Sequence, residues 1–170
     1  MKQLAAALAA ALLSACATLP PMAPGEGWQG RLAVRVAATE AQPAESFSAS
    51  FELRGDGDAG ELVLTTPLGT RAGVARWSPA GAELDDGQGA RRYATLDALA
   101  RDVFKQDLPL AALPSWLAGR PWPAAPALAT GQGFDQLGWA VDLTRHAEGE
   151  LRATRAAPPA LSLSVRLDRP

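Results

Sequence analysis

From Gly30 onward the chain alternates. In GRLAVRV, Leu32, Val34 and Val36 fall on one side and Arg35 on the other. SFSASFELRG repeats the pattern, with Phe47, Ala49, Phe51 and Leu53 opposed to Ser46, Ser48, Ser50 and Glu52. GELVLTT puts Leu62 and Leu64 together, and RAGVARW and GAELDDGQGARRYA predict further short strands joined by SPAG and DGQG turns. A period of two marks strands with one apolar and one wet face. Asp-Gly and Pro-containing turns between them mark hairpins. A run of such strands in chain order predicts an antiparallel meander that curls into a barrel or half-barrel.

The period then lengthens. TLDALARDVFKQ places Leu96, Leu99, Val103 and Phe104 at helical spacing, and Thr95 is a suitable N-cap. After Pro109, a second short stripe of Leu110, Leu113, Trp116 and Leu117 predicts another helix, with Pro114 near its start and Gly119 near its end. Helices this short need a surface to lie on, most simply the concave side of the sheet. GRPWPAAPALATGQG reads as an irregular connection. Strands resume in LGWAVDLT, through Leu137, Trp139, Val141 and Leu143. GELRATR is a weaker strand, and PALSLSVRLD closes the chain with Leu161, Leu163, Val165 and Leu167. The fold class is mainly β with helices, an α+β order of strands, helices, strands.

The N-terminus, MKQLAAALAAALLSACATLPP, has a different purpose. Lys2 precedes an Ala/Leu run from Leu4 to Leu13, shorter than the roughly 20 residues that span a bilayer. Residues 1–15 therefore read as a secretory signal peptide, outside the fold. LSAC at its end resembles the lipobox of bacterial lipoproteins, which implies cleavage before Cys16 and acylation of its thiol and its new amine. Two or three acyl chains anchor a protein stably where one does not. Cys16 is the single cysteine, so no intrachain disulfide can form. Ala17 follows it, where a retention aspartate would stand in inner-membrane lipoproteins of the enteric type, and this favours the outer membrane, periplasmic face. ATLPPMAPGEG completes a Pro/Gly/Ala tether over residues 16–27. Residues 28–170 form one ordinary domain.

Composition removes several chemistries. The formal charge is -2 and no basic patch stands out, so nucleic acid is not a partner. His146 is the single histidine, set in a surface-turn sequence, and has no companions for a metal site. Ser46, Ser48 and Ser50 read as a solvated sheet face. Asp85 and Asp86 point to opposite sides of a strand and make no acid/base pair. Asp56 to Gly60 lacks the spacing of a calcium loop and reads as a hairpin turn. No cofactor motif is present. The chain is not expected to be an enzyme.

One turn resists the polar pattern. TTPLGT carries Leu68 between Pro67 and Gly69, both ordinary turn residues, with no core for the leucine to reach. The stretch GELVLTTPLGT, the following WSPAGAELDDGQGARRY, the LP…WLAGRP pattern from Leu108 to Pro121, Trp139 and the closing LSLSVRLD together resemble the LolB family of outer-membrane lipoprotein receptors. The likeness runs from about Trp28 to Asp168. It implies an unclosed antiparallel β-barrel with a helical lid over an apolar cavity for acyl chains. It implies as partners the periplasmic carrier LolA, triacylated lipoprotein clients and the inner leaflet of the outer membrane, with the chain a monomer. Pro67, Leu68 and Gly69 fall on the family's protruding loop, which the soluble carrier lacks. Four departures are visible: the chain after residue 15 is short, VAATEAQPAESF is an irregular connection after the first strand, GELRATRAAPPALS carries an Ala/Pro-rich turn, and Asp142 and Leu143 stand where an aromatic strand end is expected. Candidates for the acyl-chain cavity are Leu32, Val34, Phe47, Phe51, Leu62 and Leu64 on the sheet, and Leu99, Val103, Phe104, Leu113, Trp116 and Leu117 on the helices. Periodicity does not separate a cavity wall from sealed core. A structural envelope lipoprotein with a solid core, or a lipid-modifying enzyme, are the competing classes. Cys16→Ser should leave a folded domain and abolish acylation; intact-mass spectrometry of the membrane fraction checks both.

Overall fold

The computed structural model describes residues 27–168. The expected signal peptide and the anchor at Cys16 lie outside the described residues. One antiparallel sheet of eleven strands organises the rest. Its first half is a meander: β1 (Gly27–Val36), β2 (Glu45–Gly55), β3 (Gly60–Thr65), β4 (Arg71–Ser78), β5 (Gly81–Asp85) and β6 (Ala90–Tyr93). Helix α1 (Leu96–Phe104), a 3-10 turn (Leu110–Ala112) and helix α2 (Leu113–Leu117) follow. The second half is β7 (Ala127–Thr130), β8 (Gly133–Gln136), β9 (Trp139–Asp142), β10 (Glu150–Arg155) and β11 (Leu161–Leu167). The two halves join where β1 pairs with β11, and the order runs β6-β5-β4-β3-β2-β1-β11-β10-β9-β8-β7. The edge strands β6 and β7 do not pair with each other.

Alternation explains which face is dry. Phe47, Val34, Leu163, Ala153, Val141 and Phe134 are successive partners across β2, β1, β11, β10, β9 and β8, one apolar row running over six strands. Ser46, Ser48, Ser50 and Glu52 are exposed on the opposite face, as their spacing predicts. The helices cover the apolar face. Thr95 caps α1, its hydroxyl accepting from the Ala98 amide, and Leu96, Leu99 and Ala100 are buried. Pro114 sits in the first turn of α2, where its missing N–H costs nothing. Gly60 shows how closely the start of β3 packs: an added Cβ would lie within van der Waals overlap of the Trp77 ring, 2.1 Å away.

Two strands emerge where an irregular connection was expected. Within GRPWPAAPALATGQG, residues 127–130 form β7, and Gly133 opens β8. All four residues of β7 are exposed because it is a sheet edge, so no apolar face forces an alternation into its sequence. Leu137 departs from its expected strand position as well. It occupies the β8–β9 turn with φ 53° and is 46% exposed. The strand proper begins at Trp139.

The helical layer is fastened by a residue that periodicity does not reveal. Trp116 is fully buried, with Phe134 and Trp139 against its ring at centroid distances of 6.3 Å. Its indole N–H donates to Gln136 Oε1 at 2.9 Å. The same oxygen accepts from the Trp122 amide at 2.9 Å, and Gln136 Nε2 donates to the carbonyls of Trp122 and Ala125, each at 2.8 Å. Gln136→Leu leaves the buried Trp116 indole N–H without its acceptor and removes three part-buried bonds to the connection, so urea unfolding should show a loss of roughly 3 kcal/mol, at the upper end for an abandoned buried polar group.

Candidate functional site

A cavity of about 400 Å³ lies between the sheet and α1. Val34, Phe47, Leu62 and Leu64 supply its sheet wall, with Ala75 and Leu84. Leu99, Val103 and Phe104 supply the helical side, together with Leu110. Phe47 and Phe104 meet edge to face across it, centroids 6.1 Å apart. The other sequence candidates are placed elsewhere. Leu32, Phe51, Leu113, Trp116 and Leu117 do not line this cavity and sit in the packed core. The difference follows the helices: α2 is pressed onto the sheet through Trp116, whereas α1 stands off from it over β2–β5.

The rim of the cavity is polar. Glu45 and Ser46 open β2, Asp86 follows β5, and Arg91 and Asp102 complete the set. Asp102 on α1 is the centre of a network. Tyr93 Oη donates to its carboxylate at 2.6 Å, Arg91 at 3.0 Å and Lys105 at 3.2 Å. Arg91 also reaches Asp86 at 2.8 Å. These bonds tie α1 to β6 and to the turn before it. The Tyr93 hydrogen bond, then Lys105, hold the Asp102 carboxyl below its usual range. The same bond, with some burial, pushes the Tyr93 phenol up. The sequence offered no pattern for this cluster, since its members come from a strand, a turn and a helix.

The β3–β4 turn stands at the same end of the strands as that rim. Leu64 and Ala72, on either side of the turn, both line the cavity. The turn is closed by the Thr66 amide on the Thr70 carbonyl at 2.8 Å and the Gly69 amide on the Thr66 carbonyl at 2.9 Å. The Thr66 hydroxyl accepts from the Thr70 amide at 3.2 Å. Gly69 adopts φ 83°, a left-handed conformation that side chains disfavour. Pro67 and Gly69 thus hold Leu68 outward, 94% exposed, the most exposed large apolar residue described.

Other candidates resolve into structure. His146 lies in a short 3-10 turn, and its Nε2–H donates to the Leu117 carbonyl at 2.8 Å, closing the end of α2. Asp56 accepts from the Asp58 and Ala59 amides, as a hairpin turn does. Among the described residues no three metal-ligating side chains gather.

The comparisons agree with one another. The family model described as "Outer membrane lipoprotein LolB" matches residues 27–167. An outer-membrane lipoprotein LolB of Thiobacillus denitrificans is 35% identical over 174 residues, covering 91% of this chain and 88% of that one. One from Ralstonia nicotianae is 32% identical, covering 79% and 72%, and one from Bordetella petrii is 33% identical, covering 80% and 74%.

The Asp102 network predicts how α1 responds to pH. A lowered carboxyl pKa means its contribution is complete above the unfolded value and is lost as pH falls through the folded one. A raised phenol pKa means the Tyr93 contribution is complete below the unfolded value and is lost as pH rises through the folded one. Amide exchange of residues 96–104 should therefore run faster in Asp102→Ala than in wild type at neutral pH. That difference should vanish in acid below the ordinary carboxylate range and shrink in alkali above the ordinary phenol range.

Proposed function

The chain belongs to the LolB family of outer-membrane lipoproteins, and from that premise we propose that it is a lipoprotein receptor of the localisation route. It accepts triacylated lipoproteins from the periplasmic carrier LolA and releases their acyl chains into the inner leaflet of the outer membrane. The observation that carries this reading is one juxtaposition: the apolar cavity and the exposed Leu68 lie at the same end of the sheet. The sheet is the unclosed barrel of this reading, and α1 and α2 are its lid. The acyl chains of Cys16 hold the protein at the outer membrane, facing the periplasm.

The physics of the client makes such a receptor necessary. Each CH₂ exposed to water costs about 0.8 kcal/mol, so free acyl chains do not cross the periplasm. A cavity of about 400 Å³ falls within the range of small-molecule sites, roughly 300–1,000 Å³. Three long acyl chains outsize it, so receipt requires α1 to swing away from β2–β5. The hinge is the irregular stretch around Pro109, and the Asp102 network is the latch. Val34, Phe47, Leu62, Leu64, Leu99, Val103 and Phe104 line the space that α1 would enlarge. No bond is made or broken, and no cofactor is needed. The chain acts as a conduit and not as an enzyme.

Leu68 then acts at delivery. One leucine is worth roughly 1.5–3 kcal/mol on burial, enough to touch a leaflet and too little to anchor a domain. Leu68→Glu places a charge where an apolar tip should enter, at a high cost for an unpaired charge in an apolar medium. The variant should keep the wild-type melting temperature, because the tip supports no packing. It should still take a labelled client from loaded carrier, and it should fail to pass that client to liposomes. Failure of the wild type to take client at all would defeat the receptor reading. Unfolding of the variant would show that Leu68 is a packing residue, and wild-type delivery would show that the loop is only a turn.

A further inference from the structure

The Asp102 network is divided between two bodies. Arg91 and Tyr93 belong to β6, and Asp86 to the turn before it. Asp102 lies on α1, and Lys105 caps the end of that helix. One oxygen, Asp102 Oδ2, accepts from both Tyr93 Oη at 2.6 Å and Arg91 Nη1 at 3.0 Å. Arg91 Nη2 donates separately to Asp86 at 2.8 Å. Helix α1 is tethered to β6 through Ala94 and Thr95, and Asp102 lies about two turns beyond that tether. A swing of α1 away from the sheet carries off Asp102 and Lys105, and it leaves Arg91 in place on Asp86.

The rim sets what Arg91 meets after such a swing. Among the described residues that line the cavity, Arg91 is the one cation, beside the carboxylates of Glu45, Asp86 and Asp102 and the hydroxyl of Ser46. Its side chain is half-exposed, so the guanidinium stands at the mouth and not in the apolar depth. An acyl chain is hydrocarbon up to its carbonyl carbon, where an ester or an amide joins it to the rest of the client. With the hydrocarbon inside the cavity, the carbonyl oxygens come to the rim. Carboxylates only accept and repel those oxygens, whereas a guanidinium only donates. A carbonyl drawn under a lid loses water and needs a donor in its place.

We propose that Arg91 binds the acyl carbonyl oxygens of the client, exchanging Asp102 for them when α1 opens. Asp86 keeps the guanidinium oriented through the exchange. Opening is then selective: a chain that carries a carbonyl replaces the acceptor that Arg91 gives up, and a bare hydrocarbon does not. This inference rests on the receptor reading of the same cavity. Tyr93 reports the exchange, because it is the single tyrosine of the chain and the bond to Asp102 is the main cause that pushes its phenol up.

The test compares two probes that differ only in their carbonyls, dioctanoylglycerol and its ether analogue dioctylglycerol. The full acylated chain is placed in vesicles of ether-linked phosphatidylcholine, which bring neither tyrosine nor carbonyl. Affinities are read by calorimetry, corrected for uptake by empty vesicles, and Tyr93 by the alkaline titration of tyrosinate absorbance. Wild type should prefer the ester by a factor on the order of five to ten, the scale of one charge-assisted hydrogen bond at a half-exposed rim. Saturation with the ester should move the Tyr93 titration down toward the ordinary phenol range. Arg91→Gln should bring the ester-to-ether ratio close to one, and Arg91→Lys should lie between. Asp102→Ala should bind both probes more tightly and keep the ester preference, and its phenol should not move on binding. Equal affinity of wild type for the two probes would overturn the proposal. So would a Tyr93 titration unmoved at saturation, since Asp102 would then never have left. If Arg91 only fastens the lid, Arg91→Gln will strengthen both probes and leave their ratio unchanged, which also overturns it. Client uptake from loaded carrier is measured on the same wild-type samples. Absent uptake with the ester preference intact defeats the receptor reading alone, and equal probe binding with normal uptake defeats this inference alone.

Discussion

The buried hydrogen bond from the Trp116 indole to Gln136 is the fixture on which the helical layer depends. A sheet that does not close edge to edge leaves an apolar face to be covered, and two short helices cannot do so by their own stability. Trp116 solves this by filling the space between Phe134 and Trp139. Gln136 then makes the position unique. Its amide uses both acceptor and both donor capacities, so nothing polar is left over in the core. Two of its four bonds go to carbonyls of the Pro-rich connection after α2. One side chain therefore fixes the helix, the connection and strand β8 together.

That fixture makes the layer unequal. The α2 end is held by interior packing, by Gln136 and by the His146 bond to Leu117. The α1 end is held by the Phe47–Phe104 contact and by a half-exposed polar network around Asp102. Half-exposed bonds are individually weak and are screened by salt, and interior packing is neither. The first cavity lies under the weakly held end. A ligand that needs more room would displace α1 and leave α2 in place. The arrangement thus separates stability from access: one helix completes the core and the other covers the vacancy.

Much of this was legible in the sequence because burial writes a period into it. Leu32 and Val34, or Phe51 and Leu53, alternate since one sheet face is dry, and Leu96 and Leu99 fall on one helical side since α1 has one dry side. Where burial is absent the signal is absent too. Strand β7 is wholly exposed, so ALAT carries no alternation and its neighbours Pro121, Pro123 and Pro126 suggest a loop. Leu137 joined a false alternation because a turn leucine and a strand leucine look alike in one dimension. Gln136 was silent for a different reason: a buried glutamine is recognised only by its partners, and those come from residues 116, 122 and 125. The division between wall and core has the same origin. Leu64 and Phe51 are both apolar and inward, and only the standoff of α1 places one at a cavity and the other in the sealed core.

On the proposed reading the direction of transfer follows from how incomplete the cavity is. Its rim carries Glu45, Asp86, Arg91 and Asp102, so chains near the mouth meet charged groups in place of hydrocarbon. Chains longer than the cavity keep methylene groups near that rim. A bilayer offers uninterrupted apolar surroundings, and the difference grows by about 0.8 kcal/mol for each CH₂ that the protein fails to cover. Release into a leaflet is then downhill without any nucleotide. Contact is the remaining requirement, since a chain that must cross even a thin water layer meets a barrier of about 0.8 kcal/mol for each CH₂ it exposes on the way. A tip of one leucine, held rigidly by Thr66 and Thr70 beside the mouth, meets this need without adding a second anchor. Its weakness is part of the device, because a tip that stayed in the membrane would keep the mouth from turning to the next carrier.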